Sequence, residues 1–168
     1  LEGGDFGPYR QSERKRIYNK YINLLIDKGL AYYCYASKEE LLKARKNKDF
    51  SYNSKTRMKF KNSLSLDKEE SLSLMKKQKY VVRLKVKENI ELRVTDILRG
   101  DITVNSSNLE DKILMKGDGL PTYHFANVVD DHLMKITTII RGEEWLPSLP
   151  IHKLIYDAFG WDMPSTVH

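Results

Sequence analysis

The chain has 168 residues, 40% of them hydrophobic and 31% charged, with a formal net charge of +6. That is enough apolar chain for a packed core under a strongly polar surface. A single cysteine, Cys34, excludes an intrachain disulfide; with no apolar run long enough to cross a bilayer and no secretory signal at the start, the expectation is a cytoplasmic protein.

The opening run Gly3-Gly4-Asp5-Phe6-Gly7-Pro8 reads as a loop entered in mid-fold, and the end stops just after a helix. Both predict an internal segment of a longer protein. Arg14 to Lys28 is predicted helical, with Ile17, Tyr21, Leu24 and Leu25 as its apolar stripe, Ser12 as its cap and Gly29 as its stop. Arg14, Lys15, Arg16 and Lys20 fall off that stripe. Ala31 to Ala36 reads as a buried strand. Ser37 and Glu40 form a capping box for a helix to about Lys46. Residues 47–66 are polar and basic without a clean period, a long loop of the kind that carries function. Asp67 then caps a helix to about Lys77.

A strand-rich stretch follows. Val82, Leu84 and Val86 alternate with Arg83 and Lys85, and Ile90, Leu92 and Val94 alternate with Glu91 and Arg93, so each strand should have one wet face. Asp101 to Val104 and Lys112 to Lys116 are shorter strands. After a turn at residues 117–121, a helix runs from His124 to about Met134. Ile136 to Ile140 is β-branched and reads as a buried strand. Pro150 opens a last helix, which Gly160 ends.

Two features could carry chemistry. Lys43, Lys46, Lys55, Arg57, Lys59 and Lys61 concentrate positive charge in one stretch, as a phosphate-binding surface requires; a merely solvated lysine-rich face has the same composition. Tyr123 and Asn127 lie four apart, on one helix face, and Arg141 ends a β-branched strand. Ligands of α/β sheets bind at the carboxyl ends of strands. An arginine, a phenol and an amide converging there suit a small carboxylate with an α-amino group. The alternative is that Arg141 pairs with Glu143 or Glu144 and that Asn127 satisfies buried backbone. Asp130 and Asp131 are adjacent, diverge on a helix and read as capping or salt-bridging groups. His124 and His132 lack the further ligands that a metal needs.

Several runs resemble a known family. Gly7-Pro8-Tyr9-Arg10-Gln11-Ser12-Glu13-Arg14, Ala31-Tyr32-Tyr33-Cys34-Tyr35, the stretch from Asp118 to Met134, and Ile140-Arg141-Gly142-Glu143-Glu144-Trp145-Leu146 are similar to segments of glutamyl-tRNA synthetases of the bacterial or organellar type, class I enzymes. The resemblance covers essentially the whole chain. It implies an α/β Rossmann-type catalytic domain interrupted by an inserted α+β acceptor-binding domain. On that reading residues 1–30 and 117–168 belong to the catalytic domain and residues 31–116 to the insertion. It implies ATP with Mg2+, glutamate and the tRNA-Glu acceptor stem as substrates and partners, and a monomer. Tyr123, Asn127 and Arg141 would line the glutamate pocket, and Glu144 and Trp145 the side of ATP and the terminal adenosine.

The HIGH-type and KMSKS-type signatures of class I are absent, as are the serine and arginine that the family carries near its own N-terminus. The segment alone should therefore be inactive, and no catalytic residue is assigned within it. Some bacterial relatives hold zinc in the insertion. Here only Cys34 matches, with Ala36, Thr56 and Met58 at the other ligand positions, so no metal is expected. A glutaminyl-tRNA synthetase relative, or a non-catalytic RNA-binding module of the same fold, are the alternatives.

Overall fold

The computed structural model describes residues 3–168. Helix α1 (Lys15–Asp27) follows a single 3-10 turn and buries Tyr18, Ile22 and Leu25. Its buried face is thus turned by one residue from the predicted stripe, and Leu24 is exposed. The cause is polar. The Tyr18 hydroxyl donates to Asp130 Oδ2 at 2.7 Å, so this phenol enters the core with its oxygen satisfied. Arg14 goes in beside it, 1% exposed, with Nε 2.8 Å from Asp130 Oδ1 and Nη1 donating to the Pro8 carbonyl at 2.6 Å. The expected surface arginine is therefore a buried one, and Asp130 is the salt-bridging group expected. Ser12 makes no cap: the helix N-cap is Arg14, without a side-chain bond. Gly29, at φ +67°, ends the helix in the left-handed conformation that glycine adopts at no steric cost.

Strand β1 (Ala31–Cys34) pairs antiparallel with β2 (Val81–Leu84), which pairs antiparallel with β5 (Ile113–Met115). Between β1 and β2 lie α2 (Lys38–Arg45) and α3 (Lys68–Lys77). The Ser37 and Glu40 capping box is formed in full, and Asp67 Oδ1 accepts from the Glu70 N–H at 2.8 Å. The wet face expected for β2 is absent at Arg83, which is 5% exposed. Its guanidinium sits 3.8 Å from the centre of the Tyr52 ring and donates to the Asp111 carbonyl at 2.8 Å.

The second sheet has the order β4-β3-β7-β6. Strands β3 (Glu91–Asp96) and β4 (Gly100–Asn105) form an antiparallel hairpin, and β3 shows the expected alternation. Helix α4 (Tyr123–Leu133) leads to β6 (Thr138–Ile140), then α5 (Leu149–Phe159) leads to β7 (Ser165–Val167). Strand β7 runs parallel to both β3 and β6. The β6-α5-β7 passage is a βαβ unit, since adjacent parallel strands need such a crossover. β6 was expected to be buried throughout. It is an edge strand in which only Ile139 is covered, and Ile140 is 78% exposed.

One apolar cluster joins α1, β1, β2, β5, α4 and α5, with Leu25, Leu84, Leu114, Phe125, Val128 and Ile155 among its members. A satellite cluster of Tyr32, Cys34 and Tyr52 lies under residues 47–66. That stretch is no featureless loop, because Tyr52, Arg57 and Asn62 are buried within it.

Candidate functional site

The carboxyl ends of three neighbouring parallel strands converge on one guanidinium. Asp96 is the last residue of β3, His168 follows β7, and Arg141 follows β6. Their order in the sheet fixes their order in space. Asp96 Oδ2 lies 2.8 Å from His168 Nδ1, and His168 Nε2 lies 3.1 Å from Arg141 Nη2. Arg141 Nη1 donates to the Tyr123 hydroxyl at 3.0 Å and faces His152 Nδ1 at 3.4 Å. His152 Nε2 in turn meets His124 Nδ1 at 3.1 Å. Helix α4 supplies Tyr123 and His124 from its first turn, and α5 supplies His152 from its first turn.

The electrostatics around Arg141 are unusual for a guanidinium. Among the described residues no carboxylate lies within ion-pair distance of it. Its direct partners are a phenol and two imidazoles. Burial, with Arg141 and the other two histidines beside it, pushes the His152 imidazole down to about 3, so it is neutral at pH 7. Burial also raises the Asp96 carboxyl, but bonds from His168 and from the Arg99, Leu98 and His168 N–H groups outweigh this and hold it at about 2. Asp131 is the nearby acid. Burial pushes it up to about 6, against the pull of Arg141. It accepts from Asn127 Nδ2 at 2.9 Å, which turns the Asn127 carbonyl oxygen the other way. Three buried polar atoms in this neighbourhood have no protein partner: Arg141 Nε, Asn127 Oδ1 and the Tyr156 hydroxyl. Buried polar atoms are seldom left so in a finished core.

The three residues singled out from sequence are thus only partly brought into contact. Tyr123 bonds to Arg141 directly, whereas Asn127 bonds to Asp131. Arg141 pairs with neither Glu143 nor Glu144. Glu143 Oε2 binds Arg99 Nη2 at 2.7 Å instead. Glu144 is exposed and folds back so closely on Gly142 that a Cβ there would meet its carboxylate. The Trp145 and Tyr123 rings lie 4.5 Å apart, centre to centre. Asp96, His168 and His152 are given no role by sequence alone, and Asp131, expected to cap or to salt-bridge, instead accepts a hydrogen bond from Asn127. Asp96 and His168 are 72 positions apart, and only the strand register joins them.

Lys43, Lys46, Lys55, Lys59 and Lys61 are exposed. Arg57 is not, and the set of six is corrected to five. Arg57 is 5% exposed, its Nε lies 3.1 Å from Asp111 Oδ2, and its Nη2 donates to the Val86 carbonyl. A buried acid requires a buried counter-charge, and Arg57 provides it. Cys34 is buried with its Sγ 3.2 Å from the Tyr52 hydroxyl. No group of three or more His, Cys, Asp or Glu able to hold a metal ion occurs among the described residues. His132 stacks on Trp161 with ring centres 3.6 Å apart.

The chain is 52% identical over 171 aligned residues to a glutamate–tRNA ligase of Bacteroides fragilis, covering 99% of this chain and 34% of the relative. It is 50% identical to the glutamate–tRNA ligase of Cytophaga hutchinsonii with the same coverages. It superposes with a TM-score of 0.93 and 46% identity on the crystal structure of a glutamate tRNA ligase from Elizabethkingia meningosepticum in complex with its amino acid, covering 99% of this chain and 34% of that one. The chain thus spans about a third of the length of the curated relatives that it matches. The family model for the catalytic domain of class I tRNA synthetases (E and Q) matches residues 3–168, and the chain belongs to that family.

Proposed function

We propose that the chain forms the amino-acid-selecting part of a glutamate–tRNA ligase, which activates glutamate with ATP and transfers it to tRNA-Glu. The observation that carries this reading is the state of Arg141. Its positive charge sits at the carboxyl end of a parallel strand among neutral acceptors, with no carboxylate bonded to it. Of the five N–H donors of a guanidinium, two on Nη1 and one on Nη2 are engaged, which leaves Nε–H and one Nη2–H. Nε and Nη2 share one edge of the guanidinium, the kind of edge that grips a carboxylate bidentately. An incoming side-chain carboxylate supplies the counter-charge, and it meets Nε once the side chains covering that buried atom move aside. Asn127 Oδ1, left without a protein partner while Nδ2 is tied to Asp131, suits the α-ammonium group.

Glutamine would leave the guanidinium without a counter-charge, so the glutaminyl alternative is disfavoured. Residues 1–30 and 117–168 are assigned to the catalytic domain and residues 31–116 to an inserted acceptor-binding domain. The main core draws on all three segments. Trp145, against Tyr123, and Glu144 face the ATP and terminal-adenosine side on this reading. Mg2+ enters as the counter-ion of ATP and is given no ligand here. Lys43, Lys46, Lys55, Lys59 and Lys61 are offered to acceptor-stem phosphates, which position rather than specify. The working unit is taken as a cytoplasmic monomer.

The test is Arg141→Ala in the full-length ligase. Truncating one partner of a buried charged contact costs about 2–5 kcal/mol, roughly thirty-fold or more. The KM for glutamate should rise by that factor while the KM for ATP stays within about twofold. Unchanged glutamate kinetics would reject the assignment.

A further inference from the structure

Arg141 could be held in many ways, and a direct carboxylate would be the simplest. The fold uses an indirect one. We propose that Asp96 and His168 are positioning residues that fix the Arg141 guanidinium while leaving its charge free for the amino-acid carboxylate; this rests on the reading of Arg141 above. Both side chains are fully buried. Asp96 is itself anchored, since its Oδ1 accepts from the Leu98 and Arg99 N–H groups, each at 3.1 Å.

The hydrogen-bond order then follows from the ends inward. A carboxylate only accepts, so the 2.8 Å contact places the His168 proton on Nδ1. That leaves the Nε2 lone pair facing Arg141 Nη2, a group that only donates. An acid that fixes the tautomer and orientation of a histidine is a recurrent device at working sites. Here the histidine is a spacer. It delivers an acceptor to Arg141 and keeps the Asp96 charge one ring away. If Asp96 reached Arg141 directly, it would neutralise the charge that the substrate has to meet. His152 repeats the arrangement on the other side, accepting from Nη1 and passing its own proton toward His124 Nδ1. Two neutral rings from two strand and helix ends thus clamp one guanidinium.

The experiment compares variants of the full-length ligase. Asp96→Asn keeps an oxygen for the turn at residues 96–99 but points an amide N–H at His168 Nδ1. The imidazole proton must then move to Nε2, where it faces a donor. The KM for glutamate is expected to rise tenfold or more in the folded variant, with the KM for ATP within about twofold. His168→Ala should do the same. His168→Gln carries one amide donor and one acceptor, the pair that the neutral ring presents, and should recover most of the loss. Arg141→Ala runs in parallel. If it leaves the glutamate KM unchanged, the substrate reading fails and the positioning role fails with it. If it raises that KM while Asp96→Asn and His168→Ala do not, positioning alone is overturned. If Asp96→Asn and His168→Ala impair glutamate, ATP and melting temperature together, with no rescue by Gln, the two residues are structural and the proposal is again overturned.

Discussion

Arg57 and Arg141 are both largely surrounded by polar groups, and the chemistry of their partners separates them. Arg57 faces an acid. Asp111 lies against its Nε, and the same carboxylate accepts from the Tyr32 hydroxyl at 2.6 Å and the Val86 N–H at 3.1 Å. The Arg57 charge is thus answered from within the chain by a carboxylate. Arg141 faces a phenol and two imidazoles, and Asp131, an acid close enough to feel its charge, is tied to Asn127. A guanidinium closed by a carboxylate is finished structure. One closed by neutral acceptors and only half-buried, as Arg141 is, keeps a charge to offer, whereas Arg83, also without a bonded carboxylate, is buried under the Tyr52 ring. Arg14, paired with Asp130, belongs with Arg57 in this respect.

The largest expected effect is at Arg57. Arg57→Met leaves Asp111 buried without its counter-charge, which should destabilise the chain by about 3–5 kcal/mol in urea unfolding. The same substitution at Arg141 leaves no bonded carboxylate behind and should cost about 1 kcal/mol or less. Equal losses at the two sites would break the distinction. Adding Asp111→Asn to Arg57→Met should recover part of the loss, because the orphaned charge goes with it.

Asp131 sharpens the comparison further. Its carboxyl is raised to about 6, first by burial and then by Asp130, although Arg141 and Asn127 pull it down. In the unfolded chain it titrates near the usual value of about 3.9. A folded pKa above the unfolded one means that the native state keeps the proton longer. The group therefore weakens the fold as pH rises from about 4 through 6, and the penalty is complete above that window. Asp131→Asn should raise stability at pH 7.5 by roughly 1–3 kcal/mol, with the gain fading below about pH 4. Loss of stability at pH 7.5 in Asp131→Asn would contradict the raised carboxyl and overturn this reading.

Much of this fold is legible in the sequence because the signals are local. The Ser37 and Glu40 box, the Asp67 cap, the alternation of β3 and the spans of α4 and α5 each depend on neighbours within one or two turns. What was misread depends on distant partners. Arg14, Arg57 and Arg83 look like surface charges until Asp130 and Asp111 close on them from 116 and 54 and 28 positions away. Arg141, Tyr123 and Asn127 could be named from spacing and resemblance. Asp96 and His168 could not, because they meet only through the parallel register of β3 and β7. The exposure of Ile140 follows from β6 having one strand neighbour, which its β-branched composition does not reveal.

The smallest effect concerns the basic stretch, where the same distinction between answered and free charge applies. Lys55 and Lys59 flank Arg57 on either side and are exposed, while Arg57 is turned inward. If this face meets acceptor-stem phosphates, the lysines release counterions and the arginine does not. Non-specific binding of duplex RNA by the chain should then be weak, on the order of micromolar to 100 micromolar at physiological salt. Log affinity should fall linearly with log salt. Replacing Lys55 and Lys59 together by glutamine should flatten that slope by close to two units, at about 0.9 per phosphate contact on a B-form duplex. Arg57→Gln should lower the unfolding free energy and leave the slope alone wherever the chain stays folded. A slope unchanged by the double lysine variant would make the basic stretch a solvated surface and move the RNA path elsewhere. A slope that changes with Arg57 in folded protein would contradict its burial against Asp111.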